Sequence, residues 1–118
     1  MKRILIIEDT EENMYLINFI LKKHGYEVLK AYNGRDGLKI ALEEKPDLIV
    51  MDWQLPDIGG IEVTETLRKS DFNNPIVFCT SNVMRGDREK ALAIGASAYI
   101  EKPLIPESFI EVINDFLK

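Results

Sequence analysis

The sequence is poor in cysteine, has no long hydrophobic run and carries no excess of basic charge. Its single cysteine, Cys79, can form neither an internal disulfide nor a thiolate metal site, and its place in the apolar run 76–79 predicts a small core residue. No apolar stretch approaches the length of a transmembrane helix, and the apolar run near the N-terminus is too short for a signal peptide. These absences predict a cytoplasmic protein.

The charge balance argues against two large classes of partner. The 20 acidic residues outnumber the 15 lysines and arginines, which leaves a formal net charge of −5 at pH 7. Direct binding to nucleic acid needs a basic face, and an anionic membrane surface attracts basic segments. We therefore expect neither as a direct partner. The length of the chain predicts one domain over residues 1–118.

Short apolar runs alternate with longer amphipathic segments along the chain. The runs predict strands, and the segments, in which apolar residues recur at helical spacing, predict helices. The predicted strands are 3–7, 27–31, 48–51, 76–80 and 98–100, and the predicted helices are 11–24, 36–44, 61–69, 87–94 and 106–116. Such alternation predicts an α/β fold with a parallel sheet between two layers of helices.

A few residues mark the ends and the buried faces of the predicted helices. Thr10 is expected to cap the first helix, and His24 to end it, where the helix dipole favours a cation. For the second and last helices we expect these apolar residues to face the core: Leu38, Ala41, Leu42, Phe109, Val112, Ile113 and Phe116.

Charged side chains follow three of the predicted strands. Asp52 ends the apolar run 48–51, Glu8 and Asp9 follow the run 4–7, and Lys102 follows the fifth strand. Because parallel strands end at one edge of the sheet, these groups should converge there. Neighbouring carboxylates repel one another unless a cation lies between them, and Mg²⁺ prefers oxygen ligands. The sequence therefore predicts a site for a divalent cation and phosphoryl transfer, with Asp52 as candidate nucleophile. Alone, Glu8 and Asp9 would be typical of a solvated pair that caps a helix.

Over essentially all 118 residues, the chain resembles the receiver domain of bacterial two-component response regulators. The features that carry the resemblance are Glu8-Asp9, Asp52 with Leu55-Pro56 and Gly60 behind it, Thr80, Tyr99 and Lys102-Pro103, in this order and at βα spacing. The resemblance implies a flavodoxin-like (βα)5 fold with strand order 2-1-3-4-5. Because the chain ends at its fifth helix, it looks most similar to the stand-alone receivers.

The resemblance implies how the site would bind its cation and its phosphoryl group. Asp52 would be the phospho-acceptor. Mg²⁺ would be bound directly by Asp9 and Asp52, through water by Glu8, and by the backbone carbonyl oxygen of Gln54. Lys102 would pair with Asp52 in the empty site and with a phosphoryl oxygen in the loaded one.

The resemblance also implies a switch. The hydroxyl of Thr80 would bind a phosphoryl oxygen, and Tyr99 would turn inward once that hydroxyl moves. In the family the bond corresponding to Lys102-Pro103 is cis. From the residues alone, Thr80 could simply fill a strand and Tyr99 could be a half-buried packing residue.

The partners implied are proteins at two faces. A histidine kinase or histidine phosphotransfer protein would dock on the first helix, with Asn13 and Met14 as candidate contacts. A downstream protein target would bind the face formed by helix 4, strand 5 and helix 5, which begins with Asn82, Val83, Met84 and Arg88. Such a protein is a signalling regulator, not an enzyme, and promotes only its own phosphorylation and dephosphorylation.

Three other functions compete with this interpretation, and the residues argue against the first two. A phosphatase of the haloacid-dehalogenase type needs a second Asp two residues after the nucleophile, and Gln54 stands there. A flavodoxin-like FMN carrier needs a glycine- and hydroxyl-rich loop after the first strand, where residues 8–12 are mostly acidic. The remaining alternative is a receiver-like scaffold that binds partners without phosphorylation.

Overall fold

Strands and helices alternate along the described chain, which comprises residues 1–81 and 86–118 of a computed structural model. The strands are β1 (Arg3–Ile7), β2 (Glu27–Ala31), β3 (Leu48–Met51), β4 (Ile76–Thr80) and β5 (Ala98–Glu101). The helices are α1 (Glu11–Lys23), α2 (Gly34–Glu44), α3 (Gly60–Lys69), α4 (Asp87–Ala93) and α5 (Pro106–Phe116). Of the predicted output surface, Asn82, Val83 and Met84 lie outside the described residues.

The strands form one parallel sheet in the order β2-β1-β3-β4-β5, which confirms the predicted fold. β1 lies between β2 and β3, so the direction in which the chain winds reverses between β1 and β3. In open parallel sheets, ligands bind outside the carboxyl ends of the strands at such a reversal. The two strands that precede the predicted carboxylates therefore lie side by side.

Apolar side chains cover both faces of the sheet. The face that packs against α2, α3 and α4 includes Leu5, Ile7, Ile49, Met51 and Phe78. The face that packs against α1 and α5 includes Ile4, Ile6, Leu48, Val50 and Cys79, so the cysteine is a core residue as predicted. Within the described residues, no helix combines the length and the apolar character needed to span a membrane.

Local hydrogen bonds explain where two of the helices begin and end. Thr10 accepts the backbone N–H of Asn13 at 3.4 Å and caps α1 as predicted. His24 ends that helix, and its Nδ1 lies 2.9 Å from the carbonyl oxygen of Ile20. α2 begins two residues before the prediction, because Asn33 accepts the N–H of Asp36 at 2.8 Å and acts as its N-cap.

Two of the expected core residues face outward. Leu42 is 40% exposed, because the fully buried side of α2 consists of the small residues Gly34, Gly37 and Ala41. A Cβ on Gly37 would lie 2.5 Å from the Ile7 side chain, so this stripe brings the helix very close to β1 and turns Leu42 away. In α5 the last buried residue is Ile113, and Phe116 at the end of the helix is 38% exposed.

Candidate functional site

Backbone hydrogen bonds between neighbouring strands bring the predicted charged residues to one edge of the sheet. The N–H of Asp52 donates to the carbonyl oxygen of Ile7 at 3.0 Å, which places Asp52 beside the Glu8-Asp9 pair. The N–H of Lys102 donates to the carbonyl oxygen of Thr80 at 2.9 Å. Because these bonds extend the strand pairings, the positions of the site residues follow from the register of the sheet.

The carboxylates of Glu8, Asp9 and Asp52 form a compact cluster. One oxygen from each lies within 4.8 Å of the others. Glu8 is buried, Asp52 is half-buried and Asp9 is exposed, so the cluster opens toward solvent on the Asp9 side. An oxygen-rich site with one solvent-facing side suits Mg²⁺, which prefers oxygen ligands and retains several waters. The residues present therefore fit the cation that the resemblance implies.

Lys102 lies between the carboxylates of Glu8 and Asp52. Its Nζ lies 2.7 Å from Oε1 of Glu8 and 3.5 Å from Oδ2 of Asp52, and its side chain is largely buried. The other oxygen of Glu8 accepts the N–H and the hydroxyl of Thr10, each at 3.2 Å. Glu8 is thus held by partners at both oxygens. The bond between Lys102 and Pro103 is cis, in agreement with the resemblance.

The charges of the cluster shift the proton affinities of its members in opposite directions. Burial, together with the negative charge of Glu8, raises the pKa of Asp52 to about 6. Burial alone would also raise the pKa of Glu8, but the hydrogen bonds and charge of Lys102 lower it below its usual value. Of these two carboxylates, Asp52 is the one whose ionised form is disfavoured, and a cation beside it would stabilise that form.

A cavity of about 360 Å³ opens above the cluster. The residues that line it come from the ends of four strands and from the loops that follow: Asp9, Thr10, Asn13, Asp52, Gln54, Leu55, Pro56, Thr80, Ser81 and Lys102. The predicted phospho-acceptor, the lysine and the switch threonine thus face the same space. A group bound to Asp52 in this cavity would be within reach of side chains from several strands.

Tyr99 lies beside this space rather than in it. Its side chain is buried, and its ring meets the edge of the Trp53 indole with the ring centroids 6.0 Å apart. The indole also contacts the ring of Phe78, at 5.6 Å. Burial and the nearby carboxylates of Asp87 and Glu101 raise the pKa of Tyr99. The contact between Trp53 and Tyr99 joins the residue after Asp52 directly to the predicted switch residue, a connection that the sequence did not indicate.

The loop 52–60 is closed tightly at its base. The N–H of Gly60 donates to the carbonyl oxygen of Trp53 at 2.9 Å. A Cβ on Gly60 would lie 2.6 Å from the carbonyl oxygen of Asp52 and 2.6 Å from the Phe78 ring, so only glycine fits there. Farther along the loop, Asp57 accepts backbone N–H groups from the start of α2. Sequence reasoning missed Asp57, because a side chain that caps a helix distant in sequence leaves no local motif.

The exposed face of α1 differs from the prediction. Met14 is 1% exposed and cannot contact a partner, because it belongs to the core between α1 and the sheet. The exposed apolar residues of this helix are Tyr15, Leu16 and Phe19, and the rings of Tyr15 and Phe19 stack at a centroid distance of 6.4 Å. Asn13 is half-buried at the rim of the cavity above Asp52.

Comparisons with known proteins agree with this geometry. A family model described as the response regulator receiver domain matches residues 4–114. The polar-differentiation response regulator DivK of Brucella anthropi is 41% identical, over 98% of this chain and 96% of that protein. A CheY-like receiver domain protein from Methanospirillum hungatei superposes with a TM-score of 0.92 and 32% identity, over 98% of this chain and 92% of that one. The BeF3-activated receiver domain of RstA from Klebsiella pneumoniae superposes with a TM-score of 0.93 and 31% identity, over 99% of each chain.

Proposed function

The chain belongs to the response regulator receiver domain family, and from this premise we propose that Asp52 accepts a phosphoryl group from a histidine kinase or a histidine phosphotransfer protein. As a receiver domain, it is a signalling regulator of two-component systems and not a classical enzyme. We take residues 1–118 as one receiver domain that works in the cytoplasm. The observation that carries the proposal is the convergence of Asp52 with Glu8, Asp9 and Lys102 at one edge of the sheet.

The cation site is part of the proposal. Asp9 and Asp52 would bind Mg²⁺ directly, Glu8 would act through water, and the backbone carbonyl of Gln54 would add an oxygen. The role given to Glu8 agrees with its contacts, since Lys102 and Thr10 already engage both of its oxygens. Bound there, Mg²⁺ neutralises negative charge on the carboxylates and on the phosphoryl group.

The transfer itself would be a displacement at phosphorus. An oxygen of Asp52 attacks the phosphorus of a phosphohistidine, the bond from phosphorus to nitrogen breaks, and an acyl phosphate forms. The reaction needs Asp52 as the carboxylate, and at neutral pH its pKa of about 6 leaves it mainly ionised. Lys102 is close enough to offer its charge to a phosphoryl oxygen after a small movement away from Glu8.

The switch would run from Thr80 to Tyr99. A phosphoryl oxygen in the cavity would draw the Thr80 hydroxyl toward it, because that residue lines the same space as Asp52. Tyr99 already lies inward against Trp53, so phosphorylation would stabilise this arrangement of the ring rather than create it. The affected surface would be the α4–β5–α5 face, where Arg88, Tyr99, Pro103, Ile105 and Phe109 line a cavity of about 350 Å³.

The phosphodonor would dock on the exposed apolar face of α1. A groove of about 480 Å³ lies between α1 and the start of α5, with Leu16, Phe19, Pro106 and Ile110 among its lining residues. This groove is mainly apolar, whereas the cavity at Asp52 is mainly polar. Helix-bundle phosphotransfer proteins present amphipathic helices, which suit an apolar groove of this kind.

Fluorescence of Trp53 offers a direct test, because this is the only tryptophan and its neighbour is Asp52. Mg²⁺ is titrated first and beryllofluoride second, the latter suggested by the activated RstA receiver, with Asp52→Asn as control. We expect a saturable change with Mg²⁺ and a further change with beryllofluoride that the Asn variant lacks.

A second measurement follows the covalent product. Intact-mass analysis after incubation with acetyl phosphate should detect one added phosphoryl group, absent in Asp52→Asn. If neither the fluorescence nor the mass responds, the phosphorylation-independent scaffold becomes the better account of the protein.

A further inference from the structure

We propose that Asp57 is a positioning residue of the cation site: its carboxylate fastens the loop 52–60 to the start of α2 and thereby holds the backbone carbonyl of Gln54 in place. This inference rests on the proposed function, because Gln54 is a ligand only if the site binds Mg²⁺. Asp57 lies three residues after Gln54 in the same loop.

Both oxygens of Asp57 are engaged by the backbone of α2. The N–H of Gly34 donates to Oδ1 at 2.7 Å, and the N–H of Arg35 donates to Oδ2 at 2.9 Å. The guanidinium of Arg35 adds a longer ionic contact at 3.8 Å. Hydrogen bonds to an ionised acceptor are roughly twice as strong as neutral ones, so two from one helix terminus form a firm attachment.

The proton affinity of Asp57 agrees with this geometry. Desolvation acts to raise the pKa of Asp57, but the backbone N–H groups of Arg35, Ile58 and Gly34 more than offset that effect and lower it. The carboxylate is therefore held in its ionised form at physiological pH.

The backbone of the loop approaches α2 so closely that only glycine fits. A Cβ on Gly34 would lie 2.6 Å from the side chain of Ile58 and 2.6 Å from its carbonyl oxygen. Ile58, which follows Asp57, thus packs directly against Gly34, the first residue of α2. The loop is therefore attached to α2 by close packing as well as by hydrogen bonds.

α2 has an N-cap of its own in addition to Asp57. Asn33 already accepts the N–H of Asp36 at 2.8 Å, and the Nδ2 of Asn33 donates back to Asp36 at 3.0 Å. Asp57 satisfies the two N–H groups that precede that bond, at the cost of ordering a distant loop. Asp57 therefore holds the loop as well as the start of the helix.

α2 also packs against β1, the strand that leads into the cation site. Gly37 lies directly against the side chain of Ile7, and Ile7 immediately precedes the Glu8-Asp9 pair. The same helix therefore touches the strand that carries two of the carboxylates and, through Asp57, the loop that carries Gln54. Asp57 links two groups of cation ligands that approach the site from different strands.

The experiment compares the Mg²⁺ affinity of four proteins through Trp53 fluorescence: wild type, Asp57→Ala, Asp57→Asn and Asp36→Asn. Asp36→Asn removes the same charge from the same helix terminus, but within the part of the chain that the structure describes Asp36 bonds to Asn33 and not to the loop. We expect Asp57→Ala to weaken Mg²⁺ binding about tenfold, as is usual for residues that orient metal ligands. The Mg²⁺ affinity of Asp57→Asn should lie between those of wild type and Asp57→Ala, because the amide oxygen can accept one N–H while the NH₂ group faces the other. Asp36→Asn should bind as wild type does.

Amide hydrogen exchange separates positioning from stability. The N–H groups of Gly34 and Arg35 should exchange faster in both Asp57 variants. If they do so while the Mg²⁺ affinity of both variants stays that of wild type, Asp57 only caps α2 and the inference is overturned. If Asp57→Ala does not fold, the Mg²⁺ affinity and the amide exchange of Asp57→Asn test the inference instead. A wild-type protein that binds no Mg²⁺ would overturn the proposed function, and the inference with it.

Discussion

Lys102 lies closer to Glu8 than to Asp52, at 2.7 Å against 3.5 Å. The resemblance implied that the lysine of an empty site pairs with the phospho-acceptor, but in this arrangement its main partner is the most buried carboxylate of the cluster. The pairing helps to lower the pKa of Glu8 against the effect of burial, whereas burial and the negative charge of Glu8 raise the pKa of Asp52 to about 6. Asp52 is left with a less compensated charge than Glu8, which favours the binding of a cation beside it.

The first prediction concerns this ion pair. Lys102→Met should lower the free energy of unfolding by about 3 kcal/mol, because it leaves Glu8 buried and ionised without its partner. The double variant Glu8→Gln/Lys102→Met should recover a large part of that loss. Urea unfolding at pH 7 without Mg²⁺ measures both effects.

The matched control for that experiment is Lys118→Met. Lys118 pairs with Asp115 at 3.5 Å, but both side chains are well exposed, so the change should be close to zero. A loss in Lys102→Met no larger than in the control would show that the pair between Lys102 and Glu8 does not stabilise the fold.

The second prediction concerns pH. The pKa of Asp52 rises from 3.8 to about 6 on folding, so between about pH 4 and pH 6 the folded protein binds more protons than the unfolded chain. This contribution to stability is present at low pH and is lost as the pH rises through 6. The side chain of Asp52→Asn cannot ionise, so this variant does not lose that stability. It should be more stable than wild type at pH 8, by at most about 3 kcal/mol.

Urea unfolding of both proteins at several pH values between 5 and 8 checks this prediction. The advantage of Asp52→Asn should shrink toward pH 5. Saturating Mg²⁺ should reduce it at pH 8, because the cation stabilises the ionised carboxylate. A difference that does not vary with pH would contradict the assignment of the raised pKa to Asp52.

The third prediction concerns the two neighbouring glycines of the loop. Gly60→Ala should destabilise the protein by about 2 kcal/mol, because the new Cβ would meet the Asp52 carbonyl and the Phe78 ring at 2.6 Å each. It should also weaken the response of Trp53 to beryllofluoride by displacing Asp52. Gly59→Ala is the natural control, since its Cβ would have only a contact of 3.8 Å with the Trp53 carbonyl. Thermal unfolding and the beryllofluoride titration compare the two variants, and equal effects would rule out the steric explanation.

The fourth prediction concerns donor docking. Phe19→Ala should slow phosphotransfer from a purified, phosphorylated histidine kinase about tenfold, because an exposed aromatic at the centre of a contact often contributes more than 1 kcal/mol. Phosphorylation by acetyl phosphate needs no docking and should keep its rate. Phe116→Ala removes an aromatic ring of α5 that lies outside the groove and should change neither rate. If both donors slow equally in Phe19→Ala, the residue acts on the site and not on docking.

The alternation of apolar runs and amphipathic segments determined the order of the elements by itself, and all predicted bounds agree with the structure to within two residues. The reason is that strand and helix periodicity are local properties, and that a charged residue after a buried strand must lie at the mouth of the sheet. The sequence alone therefore assigns Asp52, Glu8, Asp9 and Lys102 to one edge of the sheet.

Only the tertiary structure decided which surfaces of the helices are covered and which side chains pair. Met14 and Leu42 both fit a helical period, yet one is buried and the other exposed, because the depth at which a helix packs depends on the residues of its neighbours. The preference of Lys102 for Glu8, the contact between Trp53 and Tyr99, and the bonds of Asp57 to α2 join residues distant in sequence. Such contacts depend on distances across the folded chain, which no local pattern of residues records.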